Sequence, residues 1–230
     1  MLAIIETERI LAGVDEVGRG AVAGPVVAGA CVLTAPLFRR RHSFPRWSPF
    51  KKSLVTLAAP HRATRDDIVI ADSKLLTPEE RERAYVWITA HCFFGIGIVS
   101  ESVIDERGIL FATNAAMLLA IEDLRAKTEI HELLVDGRDT FRFPLPHRSI
   151  IRGDQTEPAI AAGSIVAKVT RDRMMRDCDK KFPLYGFAQH KGYGTLEHLS
   201  LITQHGTCLL HRKSFLRAHL ENQCLPLTVE

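Results

Sequence analysis

The chain has 230 residues, 46% of them hydrophobic and 25% charged, with a formal net charge of +3. This composition supports one substantial core with an appendage and excludes a disordered chain, a membrane-embedded chain and a uniformly basic coat for polyanions. The charge is uneven: residues 36–67 carry eight Lys or Arg against two acids, an excess of six, so the remainder carries −3. A basic patch on an otherwise acidic chain favours a polyanionic partner, although a solvated charged loop reads the same way.

Five cysteines, Cys31, Cys92, Cys178, Cys208 and Cys224, are scattered and never spaced as C-x-x-C, which fits reduced thiols and disfavours zinc. The first residues lack a basic segment followed by a long apolar run. The longest apolar run, residues 21–33, is broken by Gly24, Pro25 and Gly29 and is too short to cross a bilayer. A cytoplasmic monomer with no membrane association is the expectation.

Residues 10–16 and 26–33 are rich in Val and Ile and are predicted strands, separated by the turn Gly18-Arg19-Gly20. Asp15 and Glu16 close the first strand. Neighbouring strand residues point to opposite faces, so two adjacent acids share a site only where the backbone is irregular. Gly18 and Gly20 let the backbone approach a ligand and present N–H groups to an anion, and Arg19 adds positive charge. An ordinary glycine turn is the alternative.

Residues 36–67 show no sustained period and are predicted as an inserted loop, with a basic stretch over 39–67. Thr77-Pro78-Glu79-Glu80 starts a helix, with Thr as N-cap, Pro in the first turn and Glu three residues past the cap, and the helix should run to His91. Residues 93–100 are a predicted strand, weakened by Gly95 and Gly97. Residues 109–125 present Leu110, Met117, Ala120, Ile121 and Leu124 on one helical face that can pack on the sheet. Two short strands follow, 132–135 running into Asp136 and 149–152 running towards Asp154. Pro158 opens a long helix to Lys181, and Thr195 caps another that Gly206 ends. Strands first, then strand and helix in alternation, predict an α/β fold with a mixed sheet flanked by helices.

Three strand ends thus present carboxylates: Asp15 with Glu16, Asp136, and Asp154. Clustered carboxylates repel one another unless cations neutralise them, and hard oxygen-seeking Mg²⁺ or Mn²⁺ suits such a set. Two such ions can activate water against a phosphodiester. Ser164, Lys168 and Arg171 fall on one face of the helix after Asp154 and could hold phosphates, or could simply be a solvated side. In residues 185–195, aromatics, glycines and cations interleave, and Tyr193, between two glycines, can stack on a sugar or base.

These pieces together resemble the ribonuclease HII family. The matching motifs are Gly13-Val14-Asp15-Glu16, Gly18-Arg19-Gly20, Ala23-Gly24-Pro25, Asp72-Ser73-Lys74, Val135-Asp136-Gly137, Gly153-Asp154, residues 161–173 and 185–195, and His211-Arg212-Lys213-Ser214-Phe215. The resemblance implies a ribonuclease H-like domain over 1–194 and a small C-terminal helical segment with a tail over 195–230. It implies a metal-dependent endonuclease, using Mg²⁺ or Mn²⁺, that cuts the RNA of RNA/DNA hybrids. Ribonucleotides embedded in duplex DNA would be cut on their 5′ side, leaving 3′-hydroxyl and 5′-phosphate ends. Carried over by position, Asp15, Glu16, Asp136 and Asp154 match the family's catalytic and metal-binding acids. Gly18, Arg19 and Gly20 match its ribose-reading turn, and Tyr193 matches the tyrosine that packs on the sugar. Lys74, Ser164, Lys168 and Arg171 match positions associated with phosphate contacts. The chain departs from the pattern at Gly163, where alanine is commoner, at Leu75, where lysine is usual, and in the length of its basic loop. Residues 221–224 do not lead into paired aromatics, so no sliding-clamp motif is apparent. Two other readings stay open on residues alone: a polynucleotide transferase or resolvase of the same fold, and a silent nucleic-acid-binding module.

Overall fold

The computed structural model describes residues 9–33, 55–57, 68–70, 73–138 and 141–217. β1 (Leu11–Val17) and β2 (Val26–Val32) are antiparallel, with Asp15 opposite Gly29. β5 (Phe93–Val99) pairs antiparallel with β2, while β6 (Glu132–Asp136) and β7 (His147–Ile150) extend the other side in parallel. The sheet order is β5-β2-β1-β6-β7, which is the mixed sheet expected from the sequence. Two three-residue strands, β3 (Val55–Leu57) and β4 (Ile68–Ile70), pair separately. β3 corrects the reading of 36–67 as loop throughout: a Val-Thr-Leu triplet finds a partner just past that stretch. The basic residues of 39–52, with Arg62 and Arg65, lie outside the described residues, as does Asp72.

Strand alternation gives the sheet a core on each face. On one face Ala12, Val14, Val26, Ala28 and Ala30 meet α3 (Ile109–Arg125) through Ala116, Met117, Ala120 and Ile121. On the other, Cys31 and its neighbours meet α5 (Pro158–Lys181) and α1 (Pro78–His91) through Ala162, Ile165, Val166, Ala84 and Ile88. Full burial of each Leu, Ile or Val contributes roughly 1.5–3 kcal/mol. α1 begins as expected, with the Thr77 hydroxyl accepting from Glu80 N–H and the Glu80 carboxylate accepting from Thr77 N–H. Gly95 and Gly97 do not weaken their strand. They lie against the α3 backbone, where a side chain would collide with the carbonyls of Ala120 and Ala116.

α5 crosses the other face of the sheet just as closely. A Cβ on Gly13 would stand 2.0 Å from the Ala159 carbonyl carbon, and one on Gly29 2.2 Å from Gly163 O. The helix therefore seats its backbone directly on β1 and β2, and this brings Ser164 down onto Asp15.

The structure adds elements that the periodicity missed. α2 (Glu101–Arg107) precedes α3, and Gly108, at φ 82°, turns the chain between them. β7 ends two residues earlier than expected because Arg152 is left-handed (φ 56°) and opens α4 (Gly153–Thr156), so Asp154 sits in a helical turn. α6 (Phe187–His190) and α7 (Leu196–His205) follow, the latter capped by Thr195 as expected. A third core cluster joins Ile202 and Leu216 to Met175, Phe187 and Ala23, so residues past 195 share apolar packing with the sheet domain. Among the described residues the four cysteines, Cys31, Cys92, Cys178 and Cys208, form no disulfide. Among the described residues no helix is long and apolar enough to cross a membrane.

Candidate active site

Asp15 lies within β1 on the α5 side, 6% exposed. Its Oδ1 accepts from Glu16 N–H at 2.7 Å, and the hydroxyl of Ser164 also bonds to it. The parallel register sets Val14 beside Val135, so the next pair across the two strands is Asp15 and Asp136. Burial holds the Asp15 carboxyl well above the usual carboxylate range, and the negative charges of Glu16 and Asp136 push it further. Asp136 Oδ1 accepts from Gly153 N–H at 2.6 Å, which ties the end of β6 to α4 and places Asp154 one residue from that contact.

Asp154 is buried, with Oδ2 3.7 Å from Lys74 Nζ, whose side chain is 81% exposed. Glu16, the next residue on β1, pairs with Arg19 at 3.2 Å. Three separate stretches of chain thus bring carboxylates to one end of the sheet. Each leans on a local partner, and among the described residues no three ligating side chains converge closely enough, as placed, to hold one ion. The donor set is nonetheless all-oxygen, partly buried and self-repelling, which is the chemistry a hard divalent cation fits.

Beside the acids runs the glycine turn. Gly18 has φ 92°, and a Cβ there would overlap Arg171 Nε at 2.3 Å, so only glycine fits. Gly20 is exposed, and a Cβ there would meet nothing within 4 Å. Tyr193 bridges to Ala21, and Gly192 O accepts from Val22 N–H at 2.9 Å, which sets the half-buried tyrosine against the turn.

Arg171 is not placed to touch a phosphate. It is fully buried, donating to Pro25 O (2.9 Å), Ala23 O (3.0 Å) and Lys191 O (2.8 Å). Spacing put it on the face of Ser164 and Lys168, but that face is covered by the turn and by the segment carrying Tyr193. Ser164 is likewise buried, its Oγ 3.1 Å from Ser73 Oγ. Lys168 pairs with Asp172 at 2.7 Å and keeps partial exposure.

A model of the family described as Ribonuclease HII matches residues 54–222. The ribonuclease HII of Acetivibrio thermocellus is 40% identical over 210 residues, which is 91% of this chain and 70% of that one. The chain belongs to the ribonuclease HII family. It is accordingly an endoribonuclease of the H type, a metal-dependent hydrolase of RNA paired with DNA. Among solved structures, ribonuclease H2 from Pyrococcus horikoshii OT3 shares the fold with a TM-score of 0.60 at 23% identity, over 92% of this chain and 97% of that one. Bst-RNase HIII in complex with Mn²⁺ gives 0.55 at 15% identity, over 86% and 63%. At those identities the likeness is one of fold.

The chain carries further architecture around the turn whose role the sequence does not declare. Arg212 is fully buried, and its guanidinium donates to Gly24 O (2.9 and 2.7 Å) and Arg19 O (3.1 Å). Burial, with Arg171 close by, pulls it down to about 10, so it remains charged at neutral pH. The rings of His190 and His198 stack 4.0 Å apart, and His211 lies tilted against His198 at 5.2 Å. Cys208 N–H donates to His211 Nδ1, leaving a proton on His211 Nε2 for His198 Nε2 at 3.1 Å. His198 Nδ1–H then donates to Tyr193 O at 2.9 Å. Backbone groups thereby fix both rings as neutral tautomers, and burial lowers each to about 4. The sequence signals were residues 185–195, which hold His190, and the run His211-Arg212-Lys213-Ser214-Phe215, which match the family without declaring a role for these side chains.

Proposed function

We propose that this site hydrolyses the RNA strand of RNA/DNA hybrids and cuts on the 5′ side of ribonucleotides embedded in duplex DNA, leaving 3′-hydroxyl and 5′-phosphate ends. Asp15, Glu16, Asp136 and Asp154 would hold two divalent ions, Mg²⁺ or Mn²⁺. When bound, such ions supply the Lewis acidity that activates water and neutralises charge building on the phosphodiester. The observation that carries this reading is the buried Asp15 beside Asp136, two acids in mutual repulsion at the end of neighbouring strands, next to a glycine turn. To share an ion, the Asp136 carboxylate would turn from Gly153 N–H. Asp15, held by Glu16 N–H and Ser164, has its lone pairs already directed.

The remaining residues bind and orient. The backbone of Gly18, Arg19 and Gly20 would receive the ribose 2′-hydroxyl, and the ring of Tyr193 would pack on that sugar. Lys74 and Lys168 would meet phosphates, while Ser164 acts through Asp15 and Arg171 through the turn. Action as a cytoplasmic monomer belongs to the same proposal. The test is incubation of a duplex carrying one ribonucleotide, beside the same duplex in DNA alone, with and without Mg²⁺ or Mn²⁺, mapping the cut. A single metal-dependent break 5′ of the ribonucleotide supports the proposal. Equal cutting of the all-DNA duplex would favour a transferase or resolvase of the same fold, and binding without any product would favour a silent binding module.

A further inference from the structure

Arg212 occupies an unusual place for a charged residue: fully buried, on the C-terminal segment, 193 residues along the chain from the carbonyl of Arg19 that it holds. A trans peptide is planar, so its C=O and the following N–H point in opposite directions. Fixing Arg19 C=O inward on Arg212 therefore fixes Gly20 N–H outward. Gly20 is exposed and open on its Cβ side, so that donor is presented to solvent at the turn. The segment carrying Arg212 cannot drift from the turn, because Arg212 N–H donates to Val22 O at 2.8 Å, Gly24 N–H donates to Leu210 O at 2.8 Å, and His211 bridges to Ala23.

We propose that Arg212 is a positioning residue for ribose recognition: through Arg19 C=O it aims Gly20 N–H at the 2′-hydroxyl. This inference rests on the ribose-reading role proposed above for the turn. A glycine between flexible neighbours samples many peptide orientations, and an amide that must be turned before it can bind loses part of its hydrogen bond to that cost. The buried guanidinium removes the cost in advance. It does so without touching substrate, and its second carbonyl, Gly24 O, keeps the guanidinium plane from rotating. Lysine cannot reproduce this, since a single ammonium has no planar fork to hold two carbonyls in fixed relation.

The experiment is a two-by-two cycle on the full-length protein, with dissociation constants measured in EDTA so that nothing is cut. Wild type, Arg212→Met and Arg212→Lys are each titrated with a duplex holding one ribonucleotide and with the same duplex in DNA alone. Wild type should prefer the ribonucleotide. Arg212→Met should lose about fivefold of that preference, the worth of one neutral hydrogen bond, with the all-DNA constant unchanged within about twofold. Arg212→Lys should fall between. A residue that merely stabilises the fold would move both constants together. Should Arg212→Met fail to fold, judged by its melting curve, Arg212→Lys is read in the same cycle. Full preference retained in a folded variant overturns the role of Arg212. No preference in wild type overturns the ribose-reading turn itself, and this role with it.

Discussion

Gly29→Ala is the substitution by which the seam between α5 and the sheet is most simply measured. The new methyl would stand 2.2 Å from Gly163 O and 3.0 Å from Ala167 N, both backbone atoms that cannot swing aside. Restoring an ordinary contact needs about 1 Å of separation between helix and sheet, and a gap of that size forfeits roughly a quarter to a half of each dispersion contact it opens. Overpacking of this kind costs about 1–3 kcal/mol, and the backbone partner places Gly29→Ala at the upper end. Relief of glycine's entropy returns about 0.5–1 kcal/mol. The net loss of about 2 kcal/mol should lower the melting temperature by roughly 4–8 °C for a chain of this size. Because Ser164 follows Gly163 and holds Asp15, the shift should also slow cleavage, by up to about 100-fold for a 1 Å misplacement. Gly163→Ala meets Gly29 O at 2.8 Å and gains about 1 kcal/mol of helix propensity, so it should cost less. Gly20→Ala meets nothing within 4 Å and should melt within about 2 °C of wild type. If Gly29→Ala melted as the parent does, the helix would not rest on the strands as argued.

Asp136→Asn should reduce metal-dependent turnover by at least about 100-fold with an unchanged melting curve; retained turnover removes Asp136 from the chemistry. Arg171→Met should strand two buried carbonyls and a partly buried third and cost about 3–6 kcal/mol, seen as loss of the cooperative melt near physiological temperature. Lys74→Ala should leave melting unaltered and flatten the log K against log salt slope for a duplex by about 0.9, whereas a slope equal to wild type would show that Lys74 meets no phosphate. His198 and His211 are held near 4 in the fold against about 6.5 unfolded, so the unfolded chain takes protons first as pH falls. Stability should be full above about pH 6.5 and fall between there and about pH 4, by up to roughly 3 kcal/mol per histidine. Urea unfolding of wild type and His211→Gln across that range checks it, and identical pH profiles would contradict it.

Much of this architecture was legible because its signals are local. The Thr77 capping box, the Pro158 start and the Val-rich strands declare themselves within a few residues, and the acids are fixed by the strands that end beside them. What stayed hidden is either too short to show a period or depends on partners far away in the chain. α2 is a single polar-faced stretch of seven residues ended by Gly108, too short for a period to emerge. Arg152 ends β7 early through a left-handed backbone that nothing in its neighbours requires. Arg171 shares a helical face with Lys168, and spacing alone cannot tell that the turn and the Lys191 carbonyl cover that face at Arg171. Arg212, His198 and His211 are polar in sequence and buried in fact, because the carbonyls of Arg19 and Gly24 satisfy Arg212, Tyr193 O satisfies His198, and Cys208 N–H together with His198 satisfies His211.

Titration of Mn²⁺ into the full-length protein bound to a duplex with one non-cleavable ribonucleotide analogue, read by electron paramagnetic resonance, tests the central claim. Two ions taken up per protein, and their loss in the Asp15→Asn and Asp136→Asn variants, is the expected result. Uptake equal to wild type when both acids are replaced would contradict it.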